Sequence, residues 1–115
     1  MANAICAALP GAVMAHPADG ALDSWKVGGK MFASFNRQGT GVSVKTADVE
    51  TAALLCQVGH GRRAPYFHKS WIHIPWDLVD ADEMADRLRE SYAIVRAGLT
   101  QKVQATLGLF EQGGA

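Results

Sequence analysis

Apolar and polar positions change period several times along the chain, and each change marks an element. Residues 3–9 are mostly apolar and stop at Pro10-Gly11, because the residue before proline resists the helical conformation; a short helix is expected there. A loop-rich stretch follows, with His16-Pro17 and Asp19-Gly20 as turn signals. Ser24-Trp-Lys-Val-Gly-Gly-Lys-Met-Phe-Ala33 then predicts a tight hairpin turning at Gly28-Gly29. Simple pairing across that turn puts Trp25 opposite Phe32 and Val27 opposite Lys30, leaving Lys26, Met31, Ala33 and Phe35 on the other face.

Val42-Ser-Val-Lys45 alternates and predicts a half-buried strand after the turn at Gln38–Gly41. Thr46 or Asp48 can cap a helix over 48–58 with Val49, Ala52, Ala53 and Cys56 as its inner stripe. Glycines 59 and 61 and Pro65 predict an irregular connection. A strand over 70–76 places Ile72, Ile74 and Trp76 on one face, Trp71 and His73 on the other. Asp80-Ala-Asp-Glu83 has a capping-box pattern and opens the clearest helix, along which Met84, Leu88, Tyr92, Val95 and Leu99 recur at helical spacing. Helix, hairpin, strand, helix, strand, helix describes an α+β domain, a two-layer arrangement with a twisted antiparallel sheet and helices packed on one face. One domain over residues 1–110 is expected, with a frayed tail at 111–115.

Composition adds exclusions. Net charge is zero, so no global field draws the chain to nucleic acid or membrane. Nothing approaches the roughly 20 apolar residues of a membrane span. The apolar N-terminus lacks the basic start of a signal peptide, and a cytoplasmic protein without a membrane partner is expected. Cys6 and Cys56 fit no metal or redox spacing and read as free, buried thiols.

Three segments in order resemble the MmcQ/YjbR family of small bacterial proteins: Leu9-Pro-Gly-Ala12, Trp25–Ala33, and Lys69-Ser-Trp71 followed by a last helix with Ser91-Tyr92. The resemblance spans roughly residues 5–103. It implies a frataxin-like (CyaY-like) fold and a DNA-binding role with a "double wing" arrangement. The chain departs from the family at Val13 and Met14, where acidic residues are common, and in the loop 16–24.

Local charge agrees in direction with that role. Residues 24–76 hold seven basic residues against Asp48 and Glu50, a net of +5, while both flanking segments are acidic. Lys26, Lys30, Lys45, Arg62, Arg63 and Lys69 are the expected phosphate contacts, with Trp71 as a stacking group. The bland account is that these cations merely solubilise the rim, with Lys30 laying its stem over Trp25. Met31, Phe35, Trp71 and His73 form the alternative, an apolar patch for a protein partner or self-association.

Histidines 16, 60, 68 and 73 lack acidic or cysteine neighbours at ligand spacing, so no metal and no cofactor are expected. A frataxin-like metal site would need the acids at 80–90, but Arg87 and Arg89 interrupt them and a helix start favours acids anyway. No phosphate loop, nucleophile elbow or triad is present, so catalysis is not expected.

Overall fold

A computed structural model describes residues 2–15, 23–36, 38–65 and 67–108. The chain runs α1 (Ala2–Ala7), β1 (Ala12–Ala15), β2 (Ser24–Val27), β3 (Lys30–Phe35), β4 (Gly41–Lys45), α2 (Val49–Gln57), β5 (Arg62–Arg63), β6 (Trp71–Pro75), α3 (Ala81–Ala97) and α4 (Gln101–Thr106). The six strands form one sheet in the order β1-β2-β3-β4-β6-β5, antiparallel at every pairing. Since β4 and β5 both run against β6, they are parallel to each other, and α2 is the crossover between them. This is the expected two-layer α+β architecture. The tail at 111–115 and the turns at 16–20 lie outside the described residues.

Helices α1 and α3 pack on each other, and α3 lies across β2, β3 and β4. Trp25, Val27, Phe32, Val42, Val44, Ile72 and Ile74 meet Met84, Leu88 and Tyr92 there, all buried. The Gly28-Gly29 turn is as expected: both glycines have positive φ, +57° and +81°, which a two-residue hairpin of this hand demands. Gly28 has a second constraint. A methyl group built on it would lie 2.6 Å from Leu99 Cδ1, so the turn docks under the corner where α3 passes into α4.

The pairing within the hairpin differs from the simple expectation. Val27 does face Lys30, but Trp25 faces Ala33, and Phe32 is an extra residue in β3. This β-bulge turns Phe32 and Ala33 both toward the helices, where each is fully buried. Beyond it the alternation is reversed, so Phe35 pairs with Val42 on the helix-covered side instead of pointing away.

The bulge also opens the β3–β4 ladder. By the register of Ala33 with Val44 and Ser34 with Ser43, Phe32 stands opposite Lys45. There the hydroxyl of Ser91 is interposed: it accepts from Lys45 N–H at 2.8 Å and donates to Phe32 C=O at 2.6 Å. A helix side chain thus completes a ladder step that the strands do not complete themselves. The next residue, Tyr92, meets Phe32 edge-on at 5.4 Å, and its hydroxyl donates to Pro10 C=O.

Other differences have local causes. β1 and β5 are four and two residues long, too short for alternation to show, and exist because β2 and β6 offer them a ladder. In α2 the inner stripe is Ala52, Leu55 and Cys56; Val49 and Ala53 are exposed, so the helix is rotated from the expected face. Asp48 caps it, accepting from Thr51 N–H at 2.7 Å, because Thr46 is spent on Ser70 C=O. Trp76 lies past the end of β6, its indole donating to Gly39 C=O. Both cysteines are free, and burial pushes the Cys6 thiol up to about 12.

Two outcomes test this account. Ser91→Ala strands the Lys45 N–H and Phe32 C=O and is expected to cost about 2–4 kcal/mol in urea unfolding. Gly29→Ala, with open space around it, should cost only the left-handed strain of about 1–2 kcal/mol; Gly28→Ala adds the Leu99 clash and should lower Tm further than its neighbour.

Candidate functional site on the outer face of the sheet

Cross-strand partners share a face, so the register sorts the expected site residues. Opposite the helix-covered side, the outer face carries Lys26 and Met31 as a pair, Lys45 and Trp71 as a pair, and the row Ser24, Ser34, Ser43, His73, Arg62 across five strands. Of the proposed phosphate contacts, Lys26, Lys45 and Arg62 are therefore brought to this face with Trp71. Lys69 is exposed at the foot of β6. Lys30 pairs with Val27 and Arg63 with Ile72, so the register assigns both to the helix-covered side; Lys30 stays at the hairpin tip, whereas Arg63, on the sheet's edge strand, also lines the cleft on the outer face. The apolar patch is divided in the same way: Met31, Trp71 and His73 stay on the outer face, while the register assigns Phe35 to the other, although at the end of β3 it still borders the cleft that Ser34 and His73 line.

The row of serines is a feature that sequence reading passed over. Ser34 and Ser43 are 3% and 6% exposed, yet both line a cleft of about 600 Å³ with His73, Arg63, Ala64 and Phe67. Small side chains in mid-strand leave this floor low, and the loop after β5 forms the wall. Phe67 stacks on Trp71 with centroids 4.9 Å apart and planes at 22°. On the α2 side of that pair lies a second cleft of about 410 Å³, lined by Ala52, Cys56, Lys69 and Trp71 and again by Arg63, Ala64 and Phe67.

His73 lies over Gly41. A Cβ there would come 2.6 Å from its Nε2, while its Nδ1 is 3.1 Å from Ser43 Oγ. Desolvation, and then the Arg62 guanidinium, hold the imidazole below its ordinary 6.5. His73 is thus uncharged at neutral pH and presents a planar neutral ring beside a cation. His68 is engaged differently: its Nδ1 accepts from Ser70 N–H at 3.1 Å and lies 2.9 Å from Ser70 Oγ. That hydroxyl also accepts from Lys45 Nζ at 3.1 Å. His60 Nδ1 pairs with Glu83 at 2.6 Å, tying the end of α2 to the start of α3. Among the described residues no three His, Cys, Asp or Glu side chains gather as a metal site would require.

Charge completes the picture. The described strands carry Lys26, Lys30, Lys45, Arg62 and Arg63 and no aspartate or glutamate. Helix α3 carries Asp82, Glu83, Asp86 and Glu90, partly offset by Arg87, Arg89 and Arg96. Arg87 bonds Glu90 at 2.9 Å within the helix, so some of that charge is internally paired.

The family model described as YjbR matches residues 7–94, most of the chain. The chain belongs to the YjbR family. Among solved structures, that of Deinococcus radiodurans protein DR2400, a DUF419 domain, is similar with a TM-score of 0.81 and 25% identity, over 98% of this chain and 91% of that one. No curated protein matches. Among the described residues of this YjbR protein, no helix is long and apolar enough to cross a membrane.

The lowered pKa of His73 has a definite sign. The unfolded chain takes up this proton more readily than the folded one, so stability falls as pH drops through 6.5 toward the folded value, and the His73 contribution levels off as pH rises well above 6.5. An NMR titration should place the His73 midpoint below 6.5, and Arg62→Ala should raise it; a midpoint at or above 6.5 in the wild type would contradict this placement.

Proposed function

We propose that this YjbR protein binds nucleic acid, DNA in the first instance, through the outer face of its sheet, and acts as a binding module without catalysis. The observation that carries the reading is the carboxylate-free sheet, which presents Lys26, Lys45 and Arg62 on one face beside the Trp71–Phe67 stack. Cations without interleaved acids attract a phosphate backbone, and a flat aromatic pair beside them offers bases a surface. Zero net charge does not oppose this, since the balancing acids sit largely in loops and helices. Lys69, exposed at the foot of β6, extends the cationic surface toward the second cleft, whereas Lys30 and Arg63 reach it only from the rim.

Three or four phosphate contacts would give a modest affinity with a logarithmic salt slope of about −2 to −4. Fluorescence anisotropy with a labelled 12-nucleotide strand and its duplex, titrated at increasing salt, measures that slope. Lys26→Glu with Arg62→Glu, both at exposed positions, should remove binding while leaving Tm nearly unchanged. Absence of binding to either polymer at about 20 mM salt, where screening is weak, would overturn the proposal.

A further inference from the structure

The two clefts share a wall. Arg63, Ala64 and Phe67 line both, and Phe67 is stacked on Trp71, which lines the second. Both volumes lie in the range of sites that enclose small planar molecules. Their surroundings differ in a useful way. The first offers the Ser34 and Ser43 side chains and the neutral ring of His73 as hydrogen-bonding partners over an apolar wall. The second is apolar on its α2 side, at Ala52, Ala53 and Cys56, with Lys69 at its lining. A duplex presents phosphates outside and hides base faces inside, so it can use the cations of this face and neither cleft. An unpaired strand presents both groups together.

Resting on the nucleic-acid reading above, we propose that the face selects single strands, seating unpaired bases in the clefts on either side of Phe67, with Arg63 on the phosphate between them. Arg63 is suited to that place because it lines both clefts and is itself exposed. Guanidinium binds phosphate oxygens in a fork. The neutrality of His73 fits a role toward a base instead of a phosphate: an uncharged imidazole can stack or donate one hydrogen bond, and its charge does not compete with Arg63 for the backbone.

The test separates base capture from phosphate attraction. Two probes of equal charge are compared by anisotropy at fixed low salt: a 12-residue oligothymidylate, and a 12-residue strand of the same phosphates with abasic sites throughout. Base capture predicts that the abasic strand binds about tenfold more weakly or worse, and that a 12-base-pair duplex binds no better than the abasic strand. Phe67→Ala should abolish that preference with little effect on the abasic probe. Ser43→Leu, which fills the floor of the first cleft, should reduce oligothymidylate binding selectively; thermal melting of each variant confirms that it is folded. Equal affinity for the two probes overturns base capture and leaves the polyanion reading standing. Binding to the duplex alone likewise overturns base capture, and binding to none of the three probes overturns both readings.

Discussion

The hydroxyl of Ser91 holds the two layers of this protein in register. One oxygen on α3 accepts from Lys45 N–H and donates to Phe32 C=O, where an inserted residue would otherwise leave two backbone groups facing a dry interior. The bulge at Phe32 needs that hydroxyl, and the hydroxyl needs α3 at one height and rotation over the sheet. Tyr92 follows in the same turn of helix, packing on Phe32 and reaching Pro10, so α3 also pins the loop between α1 and β1. The division of the sheet into a covered and an outer face descends from this contact.

The segments by which the family is recognised thereby acquire a physical meaning. Pro10 receives the Tyr92 hydroxyl, Gly28 leaves room for Leu99, and Ser70 bonds Thr46 and Lys45 at the foot of β6. Ser91 completes the β3–β4 ladder. Each is a fastening between elements distant in sequence, which explains why such motifs report the fold strongly and an activity weakly. The residues with most scope for recognition lie between them: Lys26, Arg62, Arg63 and Phe67, and the serine row that floors the first cleft.

Charge is partitioned by layer. Strands hold cations and α3 holds acids near its N-terminus, where the helix dipole favours them. A neutral chain can therefore present one cationic face. His73 shows the same economy on a smaller scale, since the close approach to Gly41 and the Ser43 contact keep its ring low on the sheet, and that burial, with Arg62 beside it, holds its pKa below the ordinary value.

Much of this was written in local pattern. The positive φ that Gly28-Gly29 supplies, the alternation of Val42 and Val44, the Asp80 cap and the spacing from Met84 to Leu99 depend on near neighbours, so the sequence alone determined the hairpin, the long helix and the α+β class. The cationic bias of residues 24–76 was equally legible. The bulge was not, because nothing in Lys30–Phe35 distinguishes an inserted residue from a continuous strand; it is stabilised by Ser91, 59 residues away. From that one insertion follow the side on which Phe35 lies and the row that Ser34 joins. The clefts likewise require β5, a two-residue strand paired with β6 and backed by α2, to bring Arg63 and Phe67 beside Trp71. Local geometry decided which elements form, and long-range hydrogen bonding decided which face each side chain occupies.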